Sequence, residues 1–151
     1  MAELRKDRPY VQFNFLVDLG DGDTEGPDAG FQEISGIGME VTVAEYRTGN
    51  SRENSVKKIT GLNKSSDVTL KRGVIGSLVL YEWLHQIRNG DQNQRRTVTI
   101  HLQNEDHSKI VATWVLKEAR PIKVTSGPLS AKGTDVAMEE MVIAYERLEM
   151  K

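Results

Sequence analysis

A serine and a lysine three residues apart are the first combination in this chain that could support catalysis. Ser55 and Lys58 have the Ser-x-x-Lys spacing that some acyl enzymes use for a nucleophile and its base. That chemistry requires both side chains on one helical turn, and the residues around them show no helical periodicity. We therefore do not expect this pair to be catalytic.

A short acidic stretch is the second candidate, as a calcium loop. Asp21, Asp23, Glu25 and Gly26 follow the first half of the EF-hand spacing. The twelfth position of the pattern is Gln32, where the motif requires a bidentate glutamate, and no helical pattern flanks the stretch. An acidic, solvated turn is the favoured interpretation.

The remaining titratable residues form no recognisable catalytic or metal-binding pattern. His85 lies in a predicted helix, His101 in a predicted strand and His107 in a predicted turn, so none has metal-ligand spacing with another. Glu139 and Glu140 are adjacent, and in a strand they would point to opposite faces. Neither a Gly-rich phosphate loop nor a nucleophile elbow is present. We expect no catalytic residues, no metal and no cofactor.

Composition limits the class of protein. The 151 residues fit one domain, and 38% hydrophobic with 28% charged residues argues for a folded chain. The longest uncharged apolar run, residues 74–81, is too short to span a bilayer. Cysteine is absent, so no disulfide framework is available. The charged first residues precede no hydrophobic segment of the signal-peptide type, so we expect no Sec-type export. A net charge of −2 does not predict nucleic-acid binding.

Alternating apolar residues predict a mainly β domain with one helix. Leu80, Trp83, Leu84 and Ile87 recur with helical spacing, and they predict a helix over 77–89 that begins at Ser77 and ends before Gly90. The predicted strands are residues 10–19, 39–46, 68–72, 96–103, 110–116, 122–124 and 136–148, with a short apolar segment at 31–34.

Two of these strand predictions carry an alternative. Pro121 either ends the strand before it or marks an edge. The stretch from Val136 to Leu148 has apolar groups on both faces, which favours a strand covered on both sides, although its Glu, Met and Ala content also suits a helix.

Between the predicted strands 39–46 and 68–72 lies a polar arm, residues 47–66. Its first part, Arg47 to Lys58, is almost free of apolar side chains, and long loops of this kind are usually functional or disordered. We interpret the arm as the part of the chain that meets another copy of the same chain. The predicted contact residues are Tyr46, Arg47, Arg52, Glu53, Lys57 and Lys58.

Several stretches, in order, resemble the tail tube proteins of contractile phages and of related contractile injection systems. The resemblance extends from about Tyr10 to the end of the chain. It is carried by the run 30–36 followed by Glu40, Val41, Glu45, Tyr46 and Arg47, by residues 58–73 with Gly61-Leu62, by Trp83-Leu84, by Ala119-Arg120-Pro121 with Lys123, and by residues 136–139.

The resemblance implies a fold and a function. The expected fold is a single domain of two packed antiparallel sheets, a sandwich or barrel, with one flanking helix, and the haemolysin-coregulated protein of type VI secretion is a more distant relative in fold. Hexameric rings would stack into a rigid hollow tube that sheath contraction drives through a target envelope, and the arm would contact neighbouring subunits and the next ring.

The same resemblance implies partners and a location. A sheath protein, baseplate or tube-initiator proteins, and a tape-measure protein or cargo in the lumen, either DNA or protein, would contact the tube. No membrane anchoring and no sequence-specific nucleic-acid binding are implied. Synthesis would take place in the bacterial cytoplasm, and the product would belong to a phage tail or a released extracellular injection particle.

Two other functions stay open on the residues alone. A small-ligand-binding β-sandwich or barrel would require a concave apolar pocket. A hydrolase would require a site assembled from distant segments, and substitution of His101 and His107 would test it.

Overall fold

The computed structural model describes residues 7–22, 25–26 and 29–151. Within these ranges every strand pairing is antiparallel, which confirms the predicted mainly β class with one helix. The elements are β1 (Phe15–Asp18), β2 (Glu33–Ser35), β3 (Met39–Tyr46), β4 (Lys57–Ser65), β5 (Val68–Gly73), α1 (Val79–Arg88), β6 (Arg96–Gln103), β7 (Ile110–Ser126), β8 (Met138–Ala144) and β9 (Arg147–Met150).

Seven of the strands form one sheet, in the order β1-β6-β7-β8-β5-β2, with β9 paired to β7. The predicted pair of packed sheets corresponds to two halves of this sheet, which are joined through β7. One half contains β1, β6, the first part of β7 and β9, and the other contains the last part of β7, β8, β5 and β2. Strands β3 and β4 form a separate two-stranded sheet.

Strand β7 belongs to both halves because it bends near its middle. Glu118 has a φ of 55°, and the pairing with β8 shifts register between Pro121 and Lys123. The strand continues past Pro121 to Ser126, so the prediction that it ends there is wrong. Beyond Ala119 it pairs with β8 alone, which confirms the edge alternative, since proline offers no N–H to a second neighbour.

The predicted strand 136–148 is two strands in line. Both β8 and β9 run antiparallel to β7, and they are separated at Tyr145 and Glu146, opposite the bend of β7. The helical alternative for this segment is therefore wrong. Met141 and Ile143 are fully buried on the inner face of β8, whereas Val136 lies before the strand and is exposed.

Strand β1 is shorter than predicted. Residues 10–14 continue the alternation but lie outside the strand. Just before the strand, the buried Asn14 side chain donates hydrogen bonds to the carbonyls of Asn104 (3.1 Å) and Glu105 (3.2 Å), and its own backbone carbonyl accepts one from the Gln103 N–H (2.8 Å). Phe13 is 66% exposed.

The helix prediction is confirmed with adjusted ends. Helix α1 begins at Val79, whose N–H donates to Ser77 Oγ at 3.3 Å. Gly90, with a φ of 94°, follows its last turn and donates to the carbonyl of Ile87. Trp83, on the apolar face of the predicted helix, is buried, and its indole N–H donates to the carbonyl of Gln94 at 2.6 Å.

The core lies between the two halves of the sheet and under α1. It includes one buried ion pair, in which Arg72 Nε is 2.6 Å from Glu139 Oε1, with the Arg72 guanidinium over the ring of Phe31. The buried apolar residues are Val17, Leu19, Phe31, Val68, Leu70, Leu80, Trp83, Val98, Ile100, Leu116, Ala119, Met141, Ile143 and Tyr145.

Candidate subunit interface

The predicted arm is half loop and half strand. Lys57–Ser65 forms β4 and pairs with β3 over almost its whole length, and this strand is not among those that the sequence analysis predicts. What remains is a tip loop, residues 47–56. We refer to β3, the tip loop and β4 together as the hairpin. In the described part of the chain, its two strands pair only with each other.

The hairpin is exposed along nearly its full length, including its apolar side chains. Met39, Val41 and Val43 alternate along β3 and share one face, and each is more than half exposed. On the opposite face, Ala44 pairs across from Ile59, which is 55% exposed. A lone two-stranded hairpin is only marginally stable in water, and contiguous exposed apolar groups usually mark an interaction surface.

Opposite charges face one another across the hairpin. Glu40 is paired with Lys64, and Glu45 with Lys58, in the antiparallel register. Opposite charges at directly opposed positions favour sheet pairing. Lys58, a predicted contact residue, therefore also has a cross-strand neighbour of opposite charge within the hairpin.

The tip loop organises itself around Arg47. Its guanidinium donates to the carbonyls of Glu53 and Ser51, both at 3.2 Å, and Ser51 Oγ donates to the carbonyl of Glu53. Ser55 Oγ donates to the Glu53 carboxylate at 3.4 Å. Arg47 and Glu53 thus hold the loop in shape, whereas Arg52 is exposed and makes none of these bonds.

The structure brings four of the six predicted contact residues together. Tyr46, Arg47, Glu53 and Lys57 line a small hollow of about 60 Å³ at the tip. Arg52 and Lys58 lie outside its lining.

A bulge that the sequence analysis did not identify lies in the middle of the hairpin. The register shifts between Val41 and Val43, so that Thr42 lies opposite Gly61 and Leu62. Thr42 Oγ1 donates to the carbonyl of Leu62, and a Cβ on Gly61 would lie 3.1 Å from Thr42 Oγ1. Leu62 is 79% exposed. An isolated glycine in alternating residues is a signal for a bulge.

The base of the hairpin is fixed to the body of the domain at Gly36 and Gly38. The Tyr145 hydroxyl donates to the carbonyl of Gly38 at 3.0 Å, and burial raises the pKa of this phenol. Gly36 has a φ of 89°, and a Cβ there would lie 2.3 Å from the carbonyl oxygen of Asp67. The chain therefore leaves and re-enters the body through positions that tolerate little change.

A cleft lies between the two end strands of the sheet, β1 and β2; we call it the edge cleft. Its volume is about 510 Å³. Most of its lining is apolar, with polar groups at Gln12, Gln32 and Glu33. The lining residues are Tyr10, Val11, Gln12, Phe13, Phe15, Gln32, Glu33, Ile34, Ile37, Ile100, Leu102 and Trp114.

The candidate catalytic and metal-binding residues are not brought together. Lys58 lies in a strand while Ser55 lies in the tip loop, so the pair does not share a helical turn. His101 contacts Thr113, His107 contacts Gln103, and His85 stacks on a tyrosine of α1. Among the described residues no group of three or more His, Asp or Glu side chains could hold a metal ion.

The acidic stretch is a turn where it is described. The Asp18 carboxylate accepts hydrogen bonds from the N–H groups of Gly20 (2.8 Å) and Gly22 (2.9 Å). Asp23, one of the proposed calcium ligands, lies outside the described residues. None of the described helices has the length and apolar character needed to cross a membrane.

Comparison with known proteins identifies one family. The family described as T4-like virus tail tube protein gp19 matches residues 11–149. No curated protein sequence matches the chain.

Three solved structures show the range of structural similarity. A chain of the sheath–tube complex of an extracellular contractile injection system, PVC, in the extended state, is 28% identical, with a TM-score of 0.80 over 96% of this chain and 93% of that one. A chain of the anti-feeding prophage baseplate is 26% identical, with a TM-score of 0.82 over 97% of both. Hcp1 from Flavobacterium johnsoniae is 12% identical, with a TM-score of 0.53 over 90% and 93%, and shares the fold alone.

Proposed function

The chain belongs to the T4-like virus tail tube protein family, whose match covers residues 11–149, and from this membership we propose how its copies assemble. It is a structural subunit of a tube of the contractile-injection type and not an enzyme. The proposal concerns the ring, the contacts between copies and the partners.

In the proposed assembly, six copies form a ring, and rings stack into a hollow tube. Support comes from the similar chains, one belonging to a sheath–tube complex and another to a baseplate structure described as sixfold symmetrised. By the same likeness, this tube contacts a sheath and a baseplate and belongs to an extracellular injection particle or a phage tail. Its lumen conducts DNA or protein cargo.

The observation that carries the proposal is the hairpin. Within the described residues its strands pair only with each other, and it leaves Met39, Val41 and Val43 more than half exposed on one face. Water is a poor environment for such a surface, and contact with neighbouring copies would remove it from water. In this arrangement the domain is one unit, and the hairpin is its protruding arm.

The predicted contact residues take two kinds of role in the proposal. Tyr46, Lys57 and Lys58 lie on the strands near the tip, and Tyr46 is 54% exposed. With Arg52, they present cationic and aromatic groups to a neighbouring copy. Arg47 and Glu53 act indirectly, because their hydrogen bonds fix the shape of the tip loop.

Negative-stain electron microscopy and sedimentation of the purified chain test the proposal. We expect annular particles or tubes, and their loss when the hairpin is shortened by replacing residues 41–63 with a two-residue turn. The matched control replaces an equal number of exposed apolar side chains outside the hairpin. Purely monomeric protein at high concentration would contradict the proposed ring.

The edge cleft is the one observation that favours a small-ligand-binding protein. It is concave and mostly apolar, and its volume of about 510 Å³ is within the range of ligand pockets. A thermal-shift screen with apolar small molecules, followed by competition with assembly, separates the two functions. A ligand that stabilises the chain without affecting assembly would favour the small-ligand-binding function.

A further inference from the structure

We propose that the edge cleft of one copy receives the apolar face of the hairpin of a neighbouring copy. This inference rests on the proposed assembly and adds the receiving surface to it. The contact is head-to-tail: hairpin of one copy, cleft of the next.

The cleft lies where the sheet fails to close on itself. Strand β1 pairs only with β6 and β2 only with β5 in the described part of the chain, so each has one edge without a strand partner. Between these edges Ile100 forms a buried floor, and Ile34, Leu102 and Trp114 are half-exposed parts of the lining. An incoming extended segment can pair its backbone with such an edge while alternate side chains enter the apolar space.

The hairpin has the side-chain pattern that this surface requires. Met39, Val41 and Val43 are 59%, 52% and 51% exposed and recur at every second residue. Within the described residues, no other strand has three successive positions on one face that are apolar and more than half exposed. A period of two places all three toward one surface.

The charge distribution favours a contact between the hairpin of one copy and the body of its neighbour over a contact between two hairpins. Residues 47–58 carry four cationic side chains and one carboxylate, a net charge of +3, so the rest of the chain carries −5 of the total of −2. A contact between two hairpins with their tips side by side would bring two cationic tips together, whereas a head-to-tail contact places each against a body of opposite sign. Glu33, on the cleft lining, is an acidic group at the receiving surface, and its carboxylate lies 3.4 Å from Lys71 Nζ.

Because the chain contains no cysteine, cysteines introduced at two chosen positions can form disulfides only with each other or with their own copies. Two single-cysteine variants of the full chain, Val41→Cys on the hairpin and Gln32→Cys on the cleft, are mixed under assembly conditions and oxidised. We expect a disulfide-linked dimer that contains one copy of each variant. The matched control mixes Val41→Cys with Gln86→Cys, which carries the same type of replacement on the exposed surface of α1.

Four outcomes separate this contact from the assembly as a whole. Dimers from Val41→Cys alone, or equal amounts with the Gln86→Cys control, would overturn the contact. So would assembled particles without the cross-link, while the proposed tube would stand. A mixture that stays monomeric in sedimentation would overturn both. If the cleft is the receiving surface, the double replacement Ile34→Lys, Ile37→Lys in a chain that still folds should reduce the yield of the disulfide-linked dimer at least tenfold.

Discussion

Tyr145 closes the base of the hairpin onto the end of β8 through a hydrogen bond from its hydroxyl to the carbonyl of Gly38, 107 positions away in sequence. The Tyr145 hydroxyl oxygen also accepts a longer hydrogen bond from the Gly38 N–H at 3.4 Å. The ring is 7% exposed, so the polar end of a core residue fixes the point where the hairpin leaves the body.

Replacing Tyr145 with Phe should lower the free energy of unfolding by about 1 kcal/mol, the usual net value of one buried hydrogen bond. The effect should be concentrated in the hairpin, and amide exchange in β3 and β4 should accelerate more than in β6 and β7. Chemical denaturation and hydrogen exchange measure the two quantities. An equal acceleration in all strands would show that Tyr145 supports the core and not the hairpin.

The raised pKa of Tyr145 predicts a loss of stability in alkali. Its ordinary value is 10.0, and burial, the largest cause, raises it in the folded chain. The unfolded state therefore loses the phenolic proton first, and the stability that this group contributes is present below pH 10 and is lost as pH rises through the folded pKa. Denaturation at several alkaline pH values should show this slope in the native chain and a smaller slope in Tyr145→Phe.

Replacing Gly36 with Ala should destabilise the chain severely. The new Cβ would lie 2.3 Å from the carbonyl oxygen of Asp67, at a backbone φ of 89°. The backbone strain alone costs roughly 1–3 kcal/mol, and the contact adds to it. Gly49→Ala is the matched control, because nothing lies within 4 Å of its Cβ position. Thermal unfolding of both variants checks the contrast, and a similar effect at both positions would contradict it.

Removing one partner of the buried ion pair should lower the free energy of unfolding more than removing both partners. Glu139→Gln removes the carboxylate that lies 2.6 Å from Nε of Arg72, a side chain that is 1% exposed, and should lower the free energy of unfolding by about 3–5 kcal/mol. Adding Arg72→Met should recover part of this loss. Glu140→Gln is the surface control, since its partner Lys71 is 42% exposed, and should change stability by less than about 1 kcal/mol. A double-mutant cycle measured by denaturant unfolding gives the coupling.

Polar replacement on the apolar face of the hairpin should affect assembly but not folding. The double variant Val41→Thr, Val43→Thr preserves shape and β propensity at exposed positions, so the free energy of unfolding should change by no more than about 0.5 kcal/mol. Sedimentation should show a higher concentration threshold for assembly. Val74→Thr, at a site 51% exposed outside the hairpin, should leave the threshold unchanged.

Assembly should weaken as salt rises, because cationic tip residues meet a body of opposite charge. The Debye length falls from about 10 Å at 0.1 M salt to about 3 Å at 1 M. Replacing Lys57 and Lys58 with Gln should flatten this dependence, which light scattering across a salt series would measure. Replacing Lys109 and Lys132 with Gln removes the same charge from other exposed sites and should preserve the dependence.

The sequence indicated those elements in which side-chain alternation and burial coincide. Val98 and Ile100 in β6, and Leu80 and Trp83 in α1, are core residues at the predicted spacing. The short form of β1 could not be predicted from alternation, because the alternating side chains of residues 10–14 continue the pattern outside the strand.

Strand β4 was missed for a different reason. Its register shift at Gly61 and Leu62 interrupts the alternation, and every residue from Lys57 to Lys64 is exposed, so no apolar face marks it. Periodicity arguments detect strands that are buried by their own chain. A strand whose proposed covering comes from another copy gives a weak signal of this kind.

The bent ribbon of β7 against β8 and β9 has a mechanical consequence. The chain continues past the bend on both sides of the ribbon, so backbone hydrogen-bond pairing extends from Trp114 and Met150 to Ser126 and Glu139, with an interruption at Tyr145 and Glu146. A force applied along the ribbon to one half of the sheet is transmitted to the other half through the covalent backbone, and not only through packed side chains that could slide past one another. Shearing the halves apart would require many of these bonds to break at once, which makes the subunit stiff in the direction of the ribbon.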